Sequence, residues 1–186
     1  YIINKMHMKI NNREIGTNFP PYIIAEMSAN HNGDIGNAYK IIDMAKACGA
    51  DAIKIQTYRP DTITMDINSE DFICRGGLWD GKSLYELYEL AHLPWEWHKP
   101  LFNYAKKNGI TIFSSPFDNT AVDLLEDLNA PAYKIASFEI VDLPLIKYVA
   151  QTGKPMIIST GLAKSQEIQE AIDVARDNGC KELAIL

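Results

Sequence analysis

Long apolar runs are missing from this chain of 186 residues. None approaches the ~18 consecutive apolar residues of a membrane span, and the first residues lack the charged-then-apolar pattern of a secretory signal. Cysteine is scarce: Cys48, Cys74 and Cys180 have no CxxC spacing and lie in or near apolar helical stretches, which predicts reduced, buried, structural thiols. A cytoplasmic protein is the expectation. Basic runs are missing too, and 18 Lys and Arg against 24 Asp and Glu leave a formal net charge of −6. That balance argues against a nucleic-acid surface, so any anion the protein binds must be held by a few local groups.

What is present is globular composition, with 47% hydrophobic and 23% charged residues and no low-complexity linker. Strand and helix signals alternate. Strands are predicted at 22–26, 52–56, 110–114, 132–136, 155–159 and 182–186, and helices at 36–48, 95–108, 119–128, 142–152 and 165–178. Ala38, Ile41, Ile42 and Ala45 have amphipathic spacing, and Gly49 and Gly109 supply stops. Recurrent βα units imply a parallel sheet.

Three of these strands end in groups that a sheet covered on both faces should refuse. They are Ile-Ile-Ala-Glu at 23–26, Ala-Ile-Lys-Ile-Gln at 52–56 and Tyr-Lys-Ile-Ala-Ser-Phe-Glu at 133–139. An unpaired buried ammonium costs several kcal/mol or loses its proton, so Lys54 and Lys134 need an anion or carbonyl partner. Alternation puts Lys54 and Gln56 on one face and Ile53 and Ile55 on the other, facing a helix layer. Polar groups at the ends of at least four strands, rather than at one switch point, favour a closed (β/α)8 TIM barrel over a doubly wound open sheet.

A whole barrel takes eight strands and ~250 residues, and the apolar segment ending at Leu186 stops before any turn, so a barrel truncated after about its sixth strand is expected. The chain opens on Tyr1, with Met6 and Met8 as alternative starts, and its first residues are read as vector-derived or as remnants of a longer frame. Residues 1–21 form an amino-terminal extension in which Met8-Lys9-Ile10, Asn11-Asn12 and Arg13-Glu14-Ile15 read as a β-hairpin able to plug the barrel's lower end. Residues 22–186 form the partial barrel domain.

The strand ends supply Glu26 with Asn30-His31-Asn32-Gly33, Lys54 with Gln56, Ser114-Ser115 with Asp118, Lys134 with Ser137 and Glu139, and Ser159-Thr160-Gly161. Ammonium groups and hydroxyls suit a phosphate or carboxylate ligand. Carboxylates at the same mouth suit proton handling, hydroxyl binding or a metal.

The segments Ile-Ala-Glu-Met-Ser-Ala-Asn-His-Asn-Gly at 24–33, Ile-Lys-Ile-Gln-Thr-Tyr at 53–58, Phe-Ser-Ser-Pro-Phe-Asp at 113–118, Tyr-Lys-Ile-Ala-Ser-Phe-Glu at 133–139 and Ile-Ser-Thr-Gly at 158–161 resemble the sialic-acid synthase family. Met27-Ser28-Ala29 and Ala136-Ser137-Phe138-Glu139 look most like its pseudaminic acid branch. The resemblance implies a transferase that condenses phosphoenolpyruvate with an open-chain acylamino sugar, forming a nonulosonic acid and releasing phosphate. It implies that Lys54, Ser115, Lys134, Ser137 and Ser159 hold phosphoenolpyruvate, that Glu26, Gln56 and Glu139 act in catalysis, and that Asn30, His31, Tyr58 and Asp118 meet the sugar. It further implies a divalent metal, Mn2+ or Mg2+, on two histidines expected beyond Leu186, a carboxy-terminal antifreeze-like domain absent from these residues, and a homodimer.

Other readings stay open. The product is pseudaminic, legionaminic or N-acetylneuraminic acid. A desolvated barrel lysine also suits a Schiff-base aldolase, and a non-catalytic barrel fragment is a third possibility. Lys54 and Lys134 read alternatively as strand-end lysines that snorkel to water, and His31 as a turn and cap residue. Ser114 and Ser115 are open between backbone capping and ligand binding. His7, His92 and His98 lack metal spacing and read as surface or packing residues, and Trp79, Trp95, Trp97, Tyr85 and Tyr88 as core. The long 57–93 connection is expected to hang over the mouth and help cover the substrate.

Overall fold

The computed structural model describes residues 8–186; His7 and Met6 lie outside them. Strands β1 (Met8–Ile10) and β2 (Arg13–Ile15) pair antiparallel, Met8 with Ile15 and Ile10 with Arg13. Asn11 and Asn12 take φ of 45° and 67°, the left-handed pair that a two-residue hairpin turn demands and that asparagine tolerates.

The predicted βα units follow. β3 (Ile24–Glu26), α1 (Ile35–Ala47) and β4 (Ala52–Thr57) lead into the long connection, which carries α2 (Pro60–Ile63) and α3 (Leu84–Ala91). Then come α4 (His98–Asn108), β5 (Thr111–Pro116), α5 (Asn119–Asp127), β6 (Tyr133–Ile135), α6 (Leu143–Ala150), β7 (Met156–Ile158), α7 (Ser165–Asp177) and β8 (Leu183–Ile185). Local chemistry sets the ends: Asp34 caps α1 by accepting from the Gly36 N–H at 2.7 Å, Ser83 and Glu86 cap α3 reciprocally, and Gly109 closes α4 at φ 66°. The helix predicted from 142 begins one residue later, because a 3-10 turn over Phe138–Val141 precedes it and Asp142 caps Leu145.

The six strands β3 to β8 form one parallel sheet in chain order, part of a barrel wall. Alternation splits their side chains between two cores. Ile53, Ile55, Ile112, Tyr133, Ile135, Met156 and Ile158 pack outward against the helices. Ala52, Phe113, Ala132 and Ile157 form a separate cluster with Met8 and Ile10 of the hairpin, and Tyr22, Ile24 and Ala184 pack beside it. The hairpin is thus the expected plug, against residues at the start of the strands. Ile10 is fully buried there. Ile10→Ala is expected to cost about 2–4 kcal/mol in urea unfolding; a loss under ~1 kcal/mol would show that the plug hardly stabilises the barrel.

Cysteine burial differs from expectation. Cys180 is buried and Cys74 partly so, but Cys48 is exposed, because it caps α1 beyond the last position of that helix's apolar face. All three are free thiols. No helix among the described residues is long and apolar enough to cross a membrane.

Candidate active site at the barrel mouth

The register brings the strand-end residues together. Glu26 pairs with Lys54 across β3 and β4, and Gln56 with Ser115 across β4 and β5. Ser114 pairs with Tyr133, so one step along Ser115 neighbours Lys134 on the inward face. Lys54 makes an ion pair with Glu26, whose carboxylate also accepts from the Ser28 N–H at 3.1 Å.

Lys134 is the more demanding group. It is only 8% exposed, and its Nζ donates to the Ile135 carbonyl at 2.6 Å and to Ser159 Oγ at 2.7 Å. Its pKa is lowered to about 8, by burial first and then by the charge of Lys54, with Glu26 and Glu139 opposing the shift. Four charges from three strand ends therefore act on one another. Glu139 shifts the other way: burial raises its pKa, Asp142 adds to the rise, and Lys134 opposes it. Its Oε2 and the Ser115 Oγ are buried without a hydrogen-bond partner. Such atoms need a ligand or water to offset their desolvation.

Ser137 stands against Gly161, where any Cβ would overlap its side chain, so the loops after β6 and β7 touch. The remaining proposed sugar contacts spread outward. Asn30 donates to the Met27 carbonyl at 2.9 Å, and Asp118 caps α5 by accepting from the Thr120 N–H at 3.1 Å and the Ala121 N–H at 3.2 Å. His31 is 1% exposed; its Nδ1 accepts from the Gly33 N–H at 3.2 Å and its ring packs edge-on to Trp97. Tyr58 is buried between Tyr88 and Phe117, with its phenol pKa pushed up by burial. Tyr88 belongs to α3 and its own pKa is raised by burial and then by Glu139, so the long connection does return to the mouth. Trp97 joins the outer core, whereas Trp95 lies under the Arg59 guanidinium at 4.4 Å.

One residue escaped the sequence reading. Ser28 holds the left-handed φ of 48° and its Oγ lies 3.5 Å from Gln56 Oε1, so it braces Glu26 and Gln56 together. Only its place in the Met27-Ser28-Ala29 segment hinted at it. Ser114 points away from the mouth into a buried network with Thr57 and His98. A cavity of about 670 Å³ lined by Asn11, Asn12, Lys99 and Lys106 opens at the strands' amino-terminal end, away from Lys54 and Lys134.

Among the described residues no three His, Cys, Asp or Glu side chains converge as metal ligands, and Glu26 is already neutralised by Lys54. These residues do not by themselves fit the expected metal, and no step is assigned to one.

A family model described as the NeuB family matches residues 41–186. Pseudaminic acid synthase of Helicobacter pylori is 52% identical over 157 residues, 84% of this chain and 46% of that protein. Pseudaminic acid synthase of Campylobacter jejuni is 47% identical over 165 residues, covering 89% of this chain and 48% of that protein. A crystal structure of N-acetylneuraminic acid synthetase from Leptospira borgpetersenii, in complex with citrate, superposes with a TM-score of 0.83 at 26% identity, covering 97% of this chain and 58% of that one. The chain spans about half the length of the curated relatives it matches.

Proposed function

This chain belongs to the NeuB family, and on that premise we propose that its barrel mouth binds phosphoenolpyruvate for condensation with an open-chain acylamino sugar, yielding pseudaminic acid and phosphate. The observation that carries this reading is the convergence of Lys54 and Lys134 beside the unpartnered Ser115 hydroxyl. Two ammonium groups facing one small space repel each other, and a doubly charged anion relieves that repulsion. Lys134, Ser159 and Ser115 offer donors to its phosphate and carboxylate oxygens, and Lys54 joins them if Glu26 turns toward the sugar.

In the reaction the phosphoenolpyruvate C3 attacks the sugar aldehyde carbon. The aldehyde oxygen takes up a proton, water adds at C2 with loss of a proton, and the C2–O bond breaks to release phosphate. Glu139, whose burial keeps its carboxyl protonated to higher pH than usual, suits delivery of the first proton. Glu26 and Gln56, braced by Ser28, suit orientation of the sugar and the attacking water. A divalent metal, a cytoplasmic location and a homodimer belong to the same proposal and rest on the family resemblance alone.

One observation favours a second reading: a buried lysine with its pKa lowered to about 8 is a competent imine former. The two are separated by one comparison. Phosphoenolpyruvate is expected to bind in calorimetry, and pyruvate with borohydride is expected to leave the protein mass unchanged. Covalent labelling of Lys134 would replace the synthase reading with a Schiff-base aldolase, and absence of any phosphoenolpyruvate binding would reject the anion site.

A further inference from the structure

On the helix side of the sheet, level with the mouth, Thr57, Ser114 and His98 form a hydrogen-bonded chain in which all three residues are 0% exposed. Thr57 Oγ1 lies 2.9 Å from His98 Nε2 and 2.6 Å from Ser114 Oγ. His98 Nδ1 faces the Pro94 and Trp95 carbonyls, each at 3.2 Å. Carbonyls only accept, so Nδ1 carries the proton and Nε2 accepts from Thr57. The Thr57 oxygen then receives the Ser114 proton, and Ser114 also lies 3.1 Å from the Ile55 carbonyl. Every member has a partner, and the chain has one direction.

This network is costly to place where its neighbours are isoleucines, since a half-satisfied version would be worse than an apolar core. Its position suggests what it does. Thr57 directly follows Gln56 and Ser114 directly precedes Ser115, and Gln56 and Ser115 are register partners on the inward face. The chain ties the last turns of β4 and β5 to the start of α4. The β4–β5 ladder ends at Thr57 and Pro116, and the three side chains add a second tie from its last rungs to the helix layer.

We infer that Thr57, Ser114 and His98 are positioning residues that hold the ends of β4 and β5 so that Gln56 and Ser115 face the anion in one arrangement. The ligand named in this inference rests on the proposed function; the effect on the strand ends does not. Thr57→Val keeps the shape and removes the hydroxyl, Thr57→Ser restores it, and Ile146→Val trims a fully buried residue of α6 remote from the network. Phosphoenolpyruvate affinity by calorimetry and amide hydrogen exchange over residues 54–57 and 113–116 are the readouts.

Thr57→Val is expected to weaken phosphoenolpyruvate binding roughly tenfold and to speed exchange at those amides about tenfold, with both restored in Thr57→Ser. Ile146→Val is expected to leave affinity unchanged and to speed exchange there by no more than its global loss of stability. Wild-type affinity and exchange in Thr57→Val, or equal effects in Ile146→Val, would overturn the inference. If the unaltered protein does not bind phosphoenolpyruvate, the ligand assignment fails and the exchange comparison still decides the positioning role. Should Thr57→Val not fold, Ser114→Ala is expected to show the same pattern, and unchanged exchange in it would be equally fatal.

Discussion

Lys134→Met is expected to weaken phosphoenolpyruvate binding by roughly 30- to 100-fold, about 2–3 kcal/mol, because the substitution removes a buried, charge-assisted donor while keeping the alkyl volume. Its Nζ already holds Ser159 Oγ and the Ile135 carbonyl, so the ammonium is aimed before ligand arrives. Lys54→Met should cost less, because Lys54 is paired with Glu26 and must exchange that partner for the ligand. The pH profile carries a second signature. Binding requires the charged form of a lysine with a pKa of about 8, so affinity should fall as pH rises through 8, and this fall should vanish in Lys134→Met. Calorimetric titrations from pH 6.5 to 9.5 measure both; an affinity unaltered in Lys134→Met would remove Lys134 from the anion site.

Acidification from pH 6.5 to 4 is expected to strip about 3 kcal/mol of stability through His98 alone. Its pKa is lowered to about 4 by burial, with a small contribution from His92, against the pull of the Pro94 and Trp95 carbonyls and of Glu96. The folded state therefore prefers neutral imidazole. Between the folded and ordinary values the unfolded chain binds the extra proton, so this contribution is complete above about pH 6.5 and fades as pH falls toward 4. His31, lowered chiefly by burial, adds in the same direction, while Glu139, raised by burial, acts in the opposite one. Urea midpoints across this window, compared between the unaltered protein and His98→Gln, isolate the imidazole term. Equal pH slopes in the two proteins would refute it.

The order of strands and helices was legible because period-2 and period-3.6 patterns are local, and stops such as Gly49 and Gly109 act within a few residues. The asparagine pair at 11–12 announced the hairpin for the same reason. The polar strand ends were legible as violations: Lys54, Gln56 and Lys134 sit where a covered sheet should be apolar. The hairpin's contacts with Phe113, Ala132 and Ile157 were not written locally, since they join segments about a hundred or more residues apart.

The sequence by itself determined a parallel βα barrel wall, the face on which Lys54 and Gln56 lie, and the matched motifs of the family. Tertiary structure alone decided which neighbouring serine enters the mouth and which serves the scaffold. Ser114 and Ser115 are chemically identical and adjacent, and only the register of β5 against β4 turns Ser115 toward Gln56 and Ser114 toward Thr57 and His98. It likewise decided the charge state of Lys134 and Glu139. Desolvation and the field of neighbouring charges depend on distances in space, and no pattern along the chain encodes those distances.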